Sequence, residues 1–298
     1  MAGIDVSIII VNYNTFRLTR KCISTIVQHT KGVSYEIILV DNASVECDPD
    51  KFLKEFPAVK LVRSSENLGF TGGNNLGIGM AKGQYILLLN SDTELTEDSI
   101  SKCYDVIKVN SKMGVVTCKL VSPNGEIQKQ CHRFPSVALT LIELFRIHKL
   151  IPQPKRGILM GNGFFDHLSS IYTEFVWGAF FMFPTDILQK FTDKKLPGRF
   201  FMYSEDLEWC YTIKELGYTI YYNADTSIIH HLGASSKASF LRLKHNNEYA
   251  FIVKHYGWFY AKMLLLVRII LYTSKGRRVE YAAEIAGVFR TLFFTGKA

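Results

Sequence analysis

Asp41, Asp92, the Glu205-Asp206 pair and the His230-His231 pair are the groups in this chain best placed to do chemistry. Tyr85-Ile-Leu-Leu-Leu-Asn-Ser-Asp92 is an apolar run that ends abruptly in Asn90, Ser91 and Asp92, and Glu36-Ile-Ile-Leu-Val40 ends in Asp41. Buried parallel strands deliver such groups to the C-terminal edge of a sheet, where open α/β sheets bind ligands. A carboxylate there is a hard oxygen ligand for a divalent cation, which in turn grips a diphosphate. A second carboxylate can serve as a general base, and a neutral imidazole can complete a metal shell. Each group also has a structural use. An Asp after a strand caps a helix or forms a turn, and carboxylates at a helix N-terminus are favoured by its dipole.

Taken together the groups meet the needs of sugar transfer from a nucleoside diphosphate sugar. The leaving diphosphate develops charge that a metal or fixed cations must offset. The acceptor hydroxyl needs a base, and the nucleoside needs a hydrogen-bond acceptor to fix it. Asp92 can hold the metal, His230 can complete its shell, Asp206 can take the proton and Asp41 can fix the nucleoside.

The elements that must position these groups alternate. Val6–Val11 reads as a buried strand, Asn12-Tyr13-Asn14 as a turn, and Thr15 to about His29 as a helix. Strands follow at 36–40 and 59–62, then a loop with glycines at 69, 72, 73, 77 and 79 that runs into a short helix, then the strand at 85–89. A helix is expected from 97 to about 110 and a strand over 115–121. Residues 130–170, with prolines at 135, 152 and 154, read as a lobe or lid. Phe175–Phe183 reads as one long strand, Met202–Gly217 as an acidic start to a helix, and 218–222 and 226–230 as two short strands. Strands alternating with helices predict an α/β domain with a mostly parallel sheet. The expected division is a domain over 1–236, with a nucleotide-sugar half at 1–97 and an acceptor and catalytic half at 98–236, and a helical region over 237–298.

Charge is unevenly placed. Residues 1–236 carry 24 Lys and Arg against 24 Asp and Glu, whereas 237–298 carry 11 against 3, so the whole net charge of +8 lies in the last 62 residues. Such a tail suits an anionic partner, lipid headgroups or nucleic acid. Its cations sit among Leu and Ile rather than on a polar face, which argues against nucleic acid. Trp258–Tyr272 reads as an imperfect interfacial helix, with Arg268, Lys275 and Arg278 on one side and Lys262 off it. Six cysteines show no C-x-x-C spacing and several lie in apolar runs. That predicts buried free thiols in a reducing compartment. With no secretory leader and no long uncharged apolar stretch in view, the expectation is a cytoplasmic chain, peripheral on the inner face of the cytoplasmic membrane.

Five stretches occur in a familiar order: Val6-Ser-Ile-Ile-Ile-Val-Asn-Tyr-Asn14, Val40-Asp-Asn-Ala-Ser44, Asn67-Leu-Gly-Phe-Thr-Gly-Gly-Asn-Asn-Leu-Gly77, Leu89-Asn-Ser-Asp-Thr93 and Glu205-Asp206. The chain resembles the inverting family 2 glycosyltransferases of the GT-A fold, and within them the bacterial rhamnosyltransferase-like branch, over roughly residues 5–257. The resemblance implies a Rossmann-like sheet flanked by helices, with a C-terminal helical extension that associates with membrane. It implies that Val11 and Tyr13 border the nucleotide base, that Asp41 accepts from base or ribose, and that Asn67, Gly69 and Asn75 lie under the donor. Asn90-Ser91-Asp92 would stand for the family's metal motif, with Asp92 on a Mg²⁺ or Mn²⁺ and His230 near the metal or diphosphate. Trp177-Gly178-Ala179 resembles the acceptor-side strand. Glu205-Asp206 resembles the pair that supplies the catalytic base, with Asp206 the base. The implied partners are a nucleoside diphosphate sugar donor, a saccharide or lipid-linked oligosaccharide acceptor and an anionic membrane surface.

Two departures fall on the acceptor side: Lys194–Phe201 replaces the branch's Gly-Phe-Asp-Glu-like turn, and Thr212 stands where the branch has an arginine. The Gln-x-x-Arg-Trp signature of processive synthases is absent, which points to addition of one sugar. A nucleotidyltransferase would need a basic glycine-rich loop after the first strand, where this chain has Asn12-Tyr13-Asn14. The remaining rivals are a catalytically degenerate GT-A protein and a membrane-surface binding protein that acts through the basic tail.

Overall fold

The computed structural model describes residues 3–231 and 237–274, with backbone alone for 237–242. In chain order the elements are β1 (Val6–Asn12), α1 (Phe16–His29), β2 (Tyr35–Asn42), α2 (Asp50–Glu55), β3 (Lys60–Ser64), α3 (Gly69–Ile78), β4 (Tyr85–Asn90), β5 (Thr93–Leu95), α4 (Ser99–Lys108), β6 (Met113–Val121), α5 (Val137–Leu144), α6 (Lys155–Met160), β7 (Ile171–Thr173), β8 (Phe180–Pro184), α7 (Glu205–Glu215), β9 (Thr219–His230), α8 (Lys237–Tyr256) and α9 (Trp258–Ser274). They form two compact units. The first comprises Met1–His132 and Asp166–Gly233, and the second Arg133–Phe165 and Ala234–Ala298.

The first unit is built on a sheet in the order β3-β2-β1-β4-β8-β6-β9-β5, with β7 paired to β9. The β3-β2-β1-β4 half is parallel throughout. Its strands read as near-continuous apolar runs because helices cover the sheet. Ile8, Ile10, Leu39, Leu87 and Leu89 join Ile23 and Ile26 of α1 in one buried cluster. β8 then enters antiparallel to both β4 and β6.

Three stretches fold differently from the expectation. The glycine-rich segment is not a loop leading to a helix: it is α3 itself. Glycine costs about 1 kcal/mol relative to alanine in a helix interior, and here close packing offsets that. A Cβ on Gly77 would lie 2.5 Å from Ile9 Cγ2 and 3.0 Å from Val40 Cγ2, and one on Gly73 2.9 Å from Val11 Cγ1. Only bare backbone lets α3 sit this low on β1 and β2. Trp177-Gly178-Ala179 is a turn rather than strand, and β8 begins only at Phe180. The two short strands at 218–222 and 226–230 are one, β9, whose register against β6 slips between Asn223 and Ser227. The polar residues that suggested a break are accommodated there: Asp225 N donates to Asn223 Oδ1 at 3.1 Å and Ala224 N to Ser170 Oγ at 2.9 Å.

In the second unit, the lobe at 133–165 groups with the C-terminal helices, a grouping that a single boundary at 236 does not capture. α8 and α9 meet at Gly257, whose φ of +88° suits glycine. Arg268 of α9 makes a two-pronged pair with Glu248 of α8, at 3.0 and 2.9 Å. Burial alone would raise the Glu248 carboxyl, but the Arg268 charge and its hydrogen bonds hold it below the usual range. Arg268 is thus engaged inside the unit. Lys275 and Arg278, expected beside it, lie outside the described residues. Among the described residues, no helix is long and apolar enough to cross a membrane. All six cysteines are free thiols, and five of them are buried.

Candidate active site

Every residue of the candidate site lies in the first unit. Parallel register levels the C-terminal ends of β1, β2 and β4: Val11 pairs with Val40 and Asn90, and Asn12 with Asp41. Asp41 is buried and accepts from Asn12 Nδ2 at 2.9 Å and from Ser44 N at 3.3 Å. A carboxylate offers about four lone-pair sites, so Asp41 keeps capacity for a further donor. Tyr13 is 45% exposed beyond the end of β1, and Val11 lies under Gly73.

From Asn90 the chain turns through Ser91 and Asp92 into β5, which pairs with β9 so that Thr93 faces His230. The Ser91 hydroxyl lies 3.1 Å from that of Thr15. His230 Nε2 is 3.4 Å from Asp92 Oδ1 and 3.3 Å from Asn90 Nδ2, and its Nδ1 is 2.7 Å from Gln128 Oε1. Strand alternation turns His231 away, to Glu94 at 2.8 Å. Asn90 Oδ1 is buried with no hydrogen-bond partner. A carboxylate oxygen and an imidazole nitrogen 3.4 Å apart are ligand types that suit a Mg²⁺- or Mn²⁺-type cation. Among the described residues there is no group of three or more His, Cys, Asp or Glu that could hold a metal. Asp92 and His230 are two such side chains, 3.4 Å apart.

Asn67, Gly69 and Asn75 build a different feature. Asn67 Oδ1 accepts from Gly69 N at 2.9 Å and from Asn42 Nδ2 at 3.0 Å, which ties the start of α3 to the end of β2. The Asn75 amide is engaged at both ends with the Leu196 backbone, donating to its carbonyl at 2.9 Å and accepting from its N–H at 3.0 Å. Phe70 N donates to Phe201 O at 2.9 Å. The Lys194–Phe201 stretch is thus a strap laid over α3. Gly69 has φ +71°, and a Cβ there would lie 2.3 Å from Phe201 O, so only glycine admits the strap. Trp209 of α7 holds the strap from the other side, with Nε1 donating to Pro197 O at 3.1 Å.

The strap delivers the chain to α7 through two successive left-handed residues, Tyr203 at φ +68° and Ser204 at φ +71°. Non-glycine residues held in that region cost about 1–3 kcal/mol each and cluster at functional sites. Glu205 and Asp206 follow at once. Burial, and then the neighbouring Asp206 charge, push the Glu205 carboxyl up to about 8. Its Oε2 has no hydrogen-bond partner. Asp206 is only half-buried, and its Oδ1 accepts from Leu207 N at 2.8 Å. Two adjacent carboxyls thus have unlike environments, the usual basis for dividing acid and base roles. The Trp177–Ala179 turn connects the parts: Ala179 O accepts from Asn90 N at 3.0 Å, and Gly178 abuts Phe70 and Trp209, whose rings stack at 5.9 Å. Sequence reasoning missed Asn12, Gln128 and the strap. Asn12 was visible as a polar residue ending an apolar strand, but nothing near Gln128 marks it.

The model of the family described as Glycosyl transferase family 2 matches residues 7–192. The chain is 29% identical over 165 residues to a poly(ribitol-phosphate) beta-glucosyltransferase of Bacillus spizizenii, covering 53% of this chain and 26% of that protein. It is 24% identical over 216 residues to the low-salt glycan biosynthesis hexosyltransferase Agl10 of Haloferax volcanii, covering 70% of this chain and 61% of that one. It therefore spans about a quarter of the first relative's length and three fifths of the second's. Among solved structures it is similar to the mannosyltransferase PcManGT of Pyrobaculum calidifontis, described in complex with GDP-Man and Mn²⁺. The TM-score is 0.60 and the identity 12%, and the match covers 100% of this chain and 89% of that one. The fold is that of the GT-A glycosyltransferases, and the chain belongs to Glycosyl transferase family 2.

Proposed function

We propose that this chain is an inverting glycosyltransferase that moves one sugar from a nucleoside diphosphate sugar to a saccharide or lipid-linked saccharide in the synthesis of a surface polysaccharide. The observation that carries the reading is the meeting of Asp92 and His230 Nε2, 3.4 Å apart, at the edge where β1, β2 and β4 end. Asp41, with lone pairs to spare beside Asn12, accepts from the base or ribose. Val11 and Tyr13 border the base. Asp92 and His230 would hold a Mg²⁺ or Mn²⁺, which supplies positive charge against the leaving diphosphate. Asp206, the less buried member of its pair, takes the proton of the acceptor hydroxyl, which attacks the anomeric carbon from the face opposite the diphosphate. The configuration inverts. Asn67, Gly69 and Asn75 lie under the donor, and Asn75 and Gly69 also seat the strap that leads to Asp206. Deoxythymidine diphosphate rhamnose is the first donor to try by family resemblance, and uridine diphosphate hexoses the next. The relatives named for glycan synthesis support the general substrate class. Proton NMR of the product formed from an α-linked donor tests the stereochemistry. A β-linked product is expected, and retention of the α configuration would exclude a single displacement.

The second unit supports contact with an anionic membrane surface. Phe259, Met263, Leu266 and Ile270 of α9 are 75%, 36%, 52% and 47% exposed, and their spacing of four, three and four places them on one helical stripe. Single exposed apolar residues are ordinary, but a stripe is not. The net charge of +8 carried by the region from 237 onward suits acidic lipid. The protein is expected to co-sediment with vesicles containing phosphatidylglycerol, to be released as salt rises, and to lose binding on Leu266→Asp. Equal recovery with purely phosphatidylcholine vesicles would contradict the electrostatic part of this reading.

A further inference from the structure

Gln128 is a buried side chain whose three polar contacts are all accounted for. Its Nε2 donates to His230 O at 2.8 Å and to Ser122 Oγ at 3.0 Å. The His230 carbonyl, which can only accept, fixes which end of the amide is which. The carbonyl end, Oε1, must then face His230 Nδ1, 2.7 Å away. A carbonyl oxygen only accepts, so Nδ1 must carry the hydrogen. In the neutral ring Nε2 is then bare, and this is the atom that lies 3.4 Å from Asp92 Oδ1 and 3.3 Å from the Asn90 amide.

We propose that Gln128 is a positioning residue that locks His230 in its Nδ1–H tautomer, so that a bare Nε2 stands beside Asp92 ready to take a divalent cation or a hydrogen-bond donor of the donor substrate. Gripping both the ring and the main chain of the same residue gives the lock its rigidity. The imidazole can neither spin nor exchange its tautomer without breaking the amide's other bonds. Groups that orient a metal-binding imidazole in this way typically account for about 10–100-fold in metal affinity. The metal-binding consequence rests on the proposed role of Asp92 and His230, but the tautomer does not.

The test is nitrogen NMR of metal-free protein labelled at histidine, with His230 assigned by comparison with His230→Gln. The expected spectrum shows a protonated Nδ1 and a bare Nε2. A predominant Nε2–H tautomer in the wild-type protein overturns the proposal outright. Gln128→Leu is expected to shift His230 towards a mixture of tautomers and to weaken Mn²⁺ binding, read by electron paramagnetic resonance with uridine diphosphate present, by about 10–100-fold. An unaltered tautomer in folded Gln128→Leu contradicts the lock. Absence of Mn²⁺ binding in the wild type would sink the metal role of Asp92 and His230, while the nitrogen shifts would still decide the lock.

Discussion

Asp206→Asn is expected to lower the transfer rate by about 10²-fold or more while leaving donor affinity nearly unchanged. The substitution is close to isosteric. Asparagine can still accept from Leu207 N, the bond that Asp206 Oδ1 makes at 2.8 Å, so the first turn of α7 should keep its shape. What is lost is the ability to take a proton. A hundredfold loss corresponds to about 3 kcal/mol of transition-state stabilisation. It should fall on kcat, because the proposed donor site lies elsewhere, at the ends of β1, β2 and β4. Steady-state kinetics with a separate titration of nucleotide will distinguish the two. A variant that loses donor affinity along with turnover would contradict the role assigned.

The neighbouring Glu205→Gln should behave in the opposite way. The Glu205 carboxyl is raised to about 8 by burial and by the Asp206 charge, from an ordinary value of 4.5. At neutral pH it is protonated in the folded protein, and glutamine imitates that state, so turnover should fall far less than in Asp206→Asn. Stability carries the clearer signature. Between about pH 4.5 and about 8 the unfolded chain has released this proton and the folded chain still holds it. Raising the pH through that window therefore favours unfolding, by at most tenfold in the equilibrium constant for each pH unit, and the effect levels off above the folded value. Below the ordinary value both states hold the proton and the contribution is fully present. Urea unfolding of the wild type and of Glu205→Gln across this window should show a slope in the first that is flattened in the second. Parallel pH profiles would mean that Glu205 is ionised in the fold.

These two residues also show how far the chain was legible before its fold was known. Apolar runs ending in Asp41 and Asp92 are strong local signals, since a buried strand leaves its first polar residues at the sheet edge, and the α/β class followed from them. Glu205-Asp206 was visible as an acidic helix start, but the burial that separates Glu205 from Asp206 comes from packing and leaves no mark in the sequence. Glycine's low helix propensity made 69–79 read as a loop. The packing of Gly73 and Gly77 onto Val11, Ile9 and Val40 overrides it. The continuous apolar run through 175–183 hid the turn at Trp177–Ala179. Gln128 reaches His230 across 102 positions of sequence, which no local pattern can report. In the C-terminal region the charge count was plain, but it did not reveal that Arg268 is committed to Glu248.

Thermal unfolding of the wild type and of Asp92→Ala, with a panel of nucleoside diphosphates and their sugars in Mn²⁺ or in chelator, decides whether Asp92 takes part in metal-dependent nucleotide binding. One nucleotide class is expected to raise the melting temperature of the wild type in Mn²⁺, chelator to remove most of the gain, and Asp92→Ala not to show it. Absence of stabilisation by any nucleotide, or a gain of equal size in Asp92→Ala, would contradict that role.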